Sequence, residues 1–189
     1  MSSILLTAPA VEPVSLAEAK AFLRVEHDDD NDVISALIAG SRIHVEMQTR
    51  RALISQSWRL CFDLWPEDGR IEVRPAPLRS LDTVRVYDAG GATRAVDRQA
   101  FVLDMSNAAL VFAPWALPAP GRTAAGIELD VSVGYGDAAV DVPEPLRQAI
   151  RILVGHWYEH RGLVTTGPNF SPLPATVAAL LAPYRMLSL

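Results

Sequence analysis

The most regular pattern of hydrophobic residues in the chain lies between Pro143 and Gly162. Its apolar positions recur at the three- and four-residue spacing of one helical face, and they are Leu146, Ile150, Leu153, Val154 and Trp157. Pro143 and Glu144 suit a first helical turn, because that turn has N–H groups without intrahelical partners and carries partial positive charge. Gly162 can adopt the left-handed conformation that ends many helices. We therefore predict an amphipathic helix over residues 143–162.

Two further helices are predicted earlier in the chain. Ser15 and Glu18 have the spacing of a capping box, so a short helix is expected to begin there and to end near Arg24. A second helix is expected from about Asp30 to Thr49. Hydrophobic residues occupy most of its circumference, namely Val33, Ile34, Ala36, Leu37, Ile38, Ile43, Val45 and Met47. A helix that is apolar on two sides packs on two sides, so its second neighbour is either the β region or another subunit.

From about Ile54 to Gly136 the hydrophobic period changes from 3.6 to 2. Alternating runs such as 58–64 and 127–135, separated by Pro-, Asp- and Gly-rich turns, are typical of antiparallel strands with one solvated face. A last short helix is expected at 174–182, where Pro183 stops it. The predicted fold class is α+β: a small helical bundle of about four helices with an inserted antiparallel β-sheet or sandwich region.

These elements predict four consecutive parts. Residues 1–53 form an N-terminal helical part, and residues 54–137 form the inserted β region. Residues 138–173 supply the long helix and a loop that complete the bundle. Residues 174–189 form a short helix and an apolar C-terminal docking tail, because exposed apolar surface is unfavourable in water.

Composition narrows the functional classes. The chain has 189 residues, a net charge of −5 and a single cysteine, Cys61. The negative charge argues against a protein that binds nucleic acid through contacts with its phosphates. One cysteine excludes an internal disulfide and a cysteine-rich zinc site. The chain has no apolar run long enough to span a bilayer and begins without a secretory signal pattern, so a soluble cytoplasmic protein is expected.

Two motifs suggest metal chemistry, and neither is complete. His156 to His160 match the H-x-x-E-H of inverted zinc metallopeptidases, but no acidic residue follows His160 to act as the third ligand. Residues 27–32 (HDDDND) match the start of a calcium loop, whose sixth and twelfth positions are Val33 and Ala39 here rather than Gly and Glu. An acidic helix N-terminus is the better interpretation of the second motif. No catalytic residue, metal site or cofactor is predicted.

Three segments together resemble one protein family. These three are the start PVSLAEAKAFLRV, the junction RRALISQSW and the helix VPEPLRQAIRILVGHWYEHRG. The stretch LPATVAALLAPYRML, near the end of the chain, fits the same family. The chain resembles the head–tail connector, or adaptor, proteins of long-tailed phages, and most of all the adaptor of alphaproteobacterial gene transfer agents. The resemblance covers nearly the full length, and the β region is its least diagnostic part.

The resemblance implies a structural protein rather than an enzyme. It implies a dodecameric ring between the portal protein and the tail-completion (stopper) protein, assembled in the cytoplasm and then part of the particle at the head–tail junction. DNA would pass through the ring without sequence-specific binding, and no membrane is involved. The implied portal-binding residues lie in the tail: Tyr184, Arg185, Met186, Leu187 and Leu189. Ile34, Ile38 and Val45, on the doubly apolar helix, are the expected subunit interface.

Two other classes remain open on the sequence. One is a β-sandwich binding module on a helical stalk, which predicts an exposed aromatic patch that includes Trp65 and Trp115. The other is the zinc metallopeptidase at 156–160, which predicts stoichiometric metal.

Overall fold

The computed structural model describes residues 2–160 and 174–186 of the chain. These residues divide into two compact units. The β unit contains the segment up to Pro9 together with Ser55–Tyr135. The helical unit contains Ala10–Ile54 and the chain from Gly136 onward.

The β unit consists of two antiparallel sheets. Its strands in chain order are β1 (Ser2–Thr7), β2 (Gln56–Phe62), β3 (Arg70–Glu72), β4 (Leu78–Tyr87), β5 (Thr93–Ala95), β6 (Phe101–Asp104), β7 (Ala109–Phe112) and β8 (Ile127–Val133). Five strands form one sheet in the order β1-β2-β8-β4-β5, and three form the other in the order β3-β7-β6. The ladder between β2 and β8 places Trp58 opposite Val131 and Leu60 opposite Leu129.

The alternating pattern of the strands explains the core of the β unit. Every second residue of β8 is buried, from Ile127 to Val133, while the residues between them are partly exposed. The same alternation buries Leu60 on β2 and Val84 and Val86 on β4. Burial of one face of each strand is what the period of two predicts, because successive side chains point to opposite faces.

The helical unit contains four α-helices among the described residues. They are α1 (Leu16–Leu23), α2 (Asn31–Thr49), α3 (Glu144–Glu159) and α4 (Ala175–Leu181). Helix α2 contacts the other three helices, and α3 also contacts α1 and α4. The core is formed by their fully buried apolar side chains, which include Ile34, Ile38, Val45, Leu146, Ile150, Leu153, Val177 and Leu181.

The structure confirms the predicted fold class, with four helices and two antiparallel sheets. The capping box is present: the Ser15 hydroxyl accepts from the Glu18 N–H at 3.2 Å, and the Glu18 carboxylate accepts from the Ser15 N–H at 2.8 Å. On α3 the predicted stripe is buried from Leu146 to Val154, whereas Trp157 is half-buried. Gly162, the expected end of this helix, lies outside the described residues.

The N-terminal segment differs from the expected organisation. Residues 2–7 belong to the large sheet, where β1 pairs with β2, although residues 1–53 were assigned to the helical part. All six residues of β1 are exposed, so neither face had to be apolar and no alternation marked the strand.

A search of the described helices for a membrane-spanning segment found none with the necessary length and hydropathy.

Candidate assembly surfaces

The C-terminal segment docks on the end of α2. The Met186 N–H donates to the Thr49 carbonyl at 3.2 Å, and the Arg51 guanidinium donates to the Tyr184 carbonyl at 2.8 Å. The Arg185 guanidinium donates to the Gln48 side chain at 3.3 Å. The last carbonyls of a helix have no intrahelical partner, so the segment satisfies one of them.

The five predicted portal-binding residues therefore divide into two groups. Tyr184 and Met186 are half-buried against the helical unit, and Arg185 is exposed. Leu187 and Leu189 lie outside the described residues. The part of the tail nearest α4 is thus anchored through its backbone, which leaves the Arg185 side chain as the most accessible of the three described residues.

The predicted interface residues of α2 lie in the core of their own chain. Ile34, Ile38 and Val45 are 0%, 2% and 0% exposed, so they offer no surface in the single subunit. The same helix exposes a different set of apolar residues, namely Val33, Ala36, Ile43 and Met47. The sequence showed that α2 is apolar on two sides; only the packing of α1, α3 and α4 shows which side is covered.

The H-x-x-E-H residues form a histidine pair without further ligands. The imidazole rings of His156 and His160 lie 4.5 Å apart, and His160 Nδ1 is 2.7 Å from the His156 carbonyl oxygen. In the part of the chain that the structure describes, three or more His, Cys, Asp or Glu side chains nowhere converge in a way that could hold a metal ion. The pair is consistent with basic side chains at the negative end of a helix.

The acidic segment before α2 is occupied by contacts within the protein. The Lys20 ammonium lies 2.6 Å from the Asp28 carboxylate, and this hydrogen bond lowers the pKa of Asp28 below its usual range. Asp30 is the N-cap residue of α2, but its carboxylate accepts from the Tyr158 hydroxyl rather than from a helix N–H. The segment thus ties α1 and α3 to the start of α2.

A charged network on the large sheet was not predicted from the sequence. The Asp130 carboxylate accepts from Arg59 Nε at 2.7 Å, from the Thr83 hydroxyl at 2.9 Å and from Arg85. Burial alone would raise the pKa of Asp130, but the hydrogen bonds from these three donors lower it. Residues on adjacent strands meet only through the register of β2, β8 and β4, which the sequence does not show. Because the charges in the network pair with one another, we interpret it as structural.

The two tryptophans of the possible aromatic patch differ in their surroundings. The Trp65 ring packs with Phe101 and Phe112, at centroid distances of 5.9 and 5.3 Å, and its indole N–H donates to the Pro118 carbonyl. Trp115 is 89% exposed. Trp65 is therefore a half-buried member of an aromatic cluster in the β unit, and of these two tryptophans only Trp115 is highly accessible.

Comparison with known proteins gives matches among solved structures alone. No protein-family profile matches the chain, and no curated protein matches it. A chain from the neck of an empty gene transfer agent (GTA) particle, computed with C6 symmetry, matches with a TM-score of 0.84 and 24% identity. That match covers 100% of this chain and 97% of the other.

Two further structures give the same result. A chain of the virion of a native GTA particle matches with a TM-score of 0.82 and 23% identity over 100% of this chain and 97% of the other. A chain from the neck of a native GTA particle, computed with C12 symmetry, matches with a TM-score of 0.73 and 24% identity over 98% and 97%. This chain therefore shares its full-length fold, both units included, with proteins of the GTA particle.

Proposed function

We propose that this protein is a structural subunit of a head–tail connector, which forms a ring at the neck of a phage-like particle. The observation that carries the proposal is the full-length fold match to chains of GTA necks. A shared fold alone does not define a function, because one fold can host many activities. Here the sequence resemblance, found independently of the fold, points to the same class of protein.

Each subunit has three kinds of partner in this proposal. Further copies of the chain complete the ring, the portal protein lies on one side of the ring, and a tail-completion protein lies on the other side. The symmetries of the matching neck structures, C6 and C12, support a cyclic arrangement with twelve subunits. The net charge of −5 suits a conduit in which DNA must slide rather than bind. Subunits are made in the cytoplasm and become part of the particle.

Within this function, the C-terminal tail is the proposed portal anchor. Tyr184, Arg185 and Met186 are held at the end of α2, which fixes the last described part of the tail on the helical unit. We propose that Arg185 pairs with an acidic portal residue and that Leu187 and Leu189 bury apolar surface there. Tyr184 and Met186 then contribute mainly by fixing where the tail leaves the subunit.

Two truncations separate anchoring from folding. Removal of 187–189 keeps every described contact of the tail, so the melting temperature is expected to stay unchanged while co-sedimentation with portal-bearing heads is lost. Removal of 183–189 also deletes the contacts of Thr49 and Arg51, so the melting temperature is expected to fall as well. Full-length protein and an Arg185→Lys variant, which keeps the charge, serve as controls.

Two results would contradict different parts of the proposal. If both truncated chains still co-sediment with heads, the tail is not the portal anchor. If full-length protein neither binds portal-bearing heads nor appears as a ring in electron micrographs of the assembled neck, the connector function itself is wrong.

A further inference from the structure

One face of α2 is apolar and exposed along most of the helix. We call it the α2 stripe, and it consists of Val33, Ala36, Gly40, Ile43 and Met47. Val33, Ile43 and Met47 are 41%, 48% and 74% exposed. The five positions are separated by three, four, three and four residues, the spacing found where two helices pack side by side. At 1.5 Å per residue the stripe is about 21 Å long.

The stripe lies on the side of α2 away from its core. The buried residues of the helix, such as Ile34, Ile38 and Val45, follow a second face that meets α1, α3 and α4. At the middle of the stripe the Trp157 ring of the same chain lies beside Gly40, 3.8 Å from where a Cβ on that glycine would be, and Gly40 is half-buried. An exposed apolar stripe of this length is typical of a surface on which another helix docks.

When two copies of α2 run antiparallel, the side-chain sizes along one α2 stripe complement those along the other. If two copies of α2 cross at Gly40, Val33 lies opposite Met47 of the second copy and Ala36 lies opposite Ile43. Ala36 then faces the larger Ile43, and pairing of small with large side chains is how packed layers interdigitate. At the centre the two copies of Gly40, each beside the Trp157 ring of its own chain, have no side chain of their own to hold the backbones apart. A parallel pair would place Met47 on Met47 and leave space between the two copies of Ala36.

Charge at the two ends of the helix favours the same direction. The N-terminal end carries exposed Asp29 and Asp32, and the C-terminal end carries exposed Arg50. An antiparallel pair brings the acidic end of one copy to the basic end of the other. A parallel pair brings acid to acid and Arg50 to Arg50, and like charges suppress such an arrangement.

We propose that the free protein forms a twofold dimer in which the α2 stripes of two copies pack antiparallel. The inference does not depend on the connector function, because a closed twofold contact cannot be the repeating contact of a cyclic ring. A contact made by one helix of each subunit buries little area for a protein interface, so dimerisation is expected to depend on concentration. The dimer is thus a form of the free subunit that opens when subunits enter a larger assembly.

Cysteine cross-linking tests the direction of the pair. Val33→Cys and Met47→Cys are introduced separately into a Cys61→Ala background, and the two purified proteins are oxidised alone and as a mixture. We expect a cross-linked dimer in the mixture, with one copy of each variant confirmed by mass spectrometry, and little from either variant alone. A disulfide requires Cα atoms within about 7 Å of each other, so the bond reports a specific register. Cross-linking of Met47→Cys with itself, or none in the mixture, would overturn the proposal.

Sedimentation velocity over a range of concentrations tests the stripe and its charges. We expect a monomer–dimer equilibrium that Met47→Glu weakens at least tenfold, whereas Ser35→Glu, on an exposed position of α2 outside the stripe, leaves it unchanged. Asp32→Arg should weaken the dimer, and the double variant Asp32→Arg with Arg50→Asp should restore it, with circular dichroism showing that each variant is folded. A monomer at every concentration, or a cyclic oligomer that lacks the 33-to-47 cross-link, would contradict the proposal.

Discussion

At the scale of single residues, His44 is a half-buried titratable side chain whose surroundings disfavour its charged form. Its ring packs edge-on against Trp157 at a centroid distance of 5.9 Å, and its buried Nε2 atom has no hydrogen-bond partner among the residues that the structure describes. Burial disfavours the charged form and lowers the pKa of His44 below the usual 6.5. The neutral ring is therefore the form that the folded protein accommodates.

This environment predicts that the protein loses stability in mild acid. Because the pKa of His44 is lower in the folded state, the unfolded state binds the proton more tightly. The contribution of His44 is fully present above the unfolded pKa near 6.5 and is lost as the pH falls towards the lower folded value. We expect His44→Leu to reduce the difference in denaturation midpoint between pH 7.5 and pH 5.5.

The control for this prediction is His27→Gln, because the His27 side chain is more than half exposed. The His27→Gln variant should retain the pH dependence of the denaturation midpoint seen in the unsubstituted protein. If His44→Leu retains that dependence in full, His44 is not the source of the acid sensitivity.

At the scale of elements, the start of α1 joins local capping to tertiary ion pairs. Glu18 closes the capping box with Ser15, and its other oxygen lies 2.5 Å from Arg147 on α3. The hydrogen bond from the Ser15 N–H is the main cause that lowers the pKa of Glu18, and Arg147 adds to it. Arg147 also donates to the Pro13 carbonyl at 2.9 Å. The first turn of α1 is thus held by its own cap and by α3.

Removal of the cap should have a moderate and measurable cost. We expect Ser15→Ala to lower the free energy of unfolding by about 0.5–2 kcal/mol, because the Glu18 N–H loses its acceptor. Chemical denaturation measures the change. Ser35→Ala is the matched control, since Ser35 is an exposed serine in the second turn of α2 and a surface substitution of this kind usually changes stability by no more than about 0.5 kcal/mol. Equal effects of the two substitutions would show that the cap does not stabilise α1.

At the scale of the whole molecule, the charge balance bears on contact with DNA. The chain carries 17 Lys and Arg against 22 Asp and Glu. Many of the arginines are already paired with carboxylates, as Arg59 and Arg85 are with Asp130. Paired cations are less available to displace counterions from a phosphate backbone, which is the main source of non-specific affinity for DNA, and the acidic excess of the chain opposes such binding further.

We accordingly expect the free protein not to retard duplex DNA in a gel at low salt, where such binding is strongest. A variant with Asp29, Asp32 and Glu67 changed to Lys provides the comparison, because it reverses the net charge from −5 to about +1. Retardation by the unsubstituted protein that disappears with added salt would show a basic surface that the net charge conceals.

Local signals in the sequence determined much of the helical part. The caps of α1 and the start of α3 depend on residues a few positions apart, such as Ser15 with Glu18 and Pro143 with Glu144, so they were predicted correctly. The buried stripe of α3 up to Val154 followed from its period alone. The change of period after Ile54 predicted the β region, because solvated antiparallel strands alternate along the chain.

Tertiary structure decided the features that depend on distant partners. Both faces of α2 are apolar, so only the packing of the other helices showed that Ile34 is buried and that Met47 is exposed. Strand β1 forms because its backbone pairs with β2, more than fifty residues away, and its exposed side chains carry no period. Met186 and Thr49 likewise meet through backbone groups, which every residue possesses and no sequence pattern distinguishes.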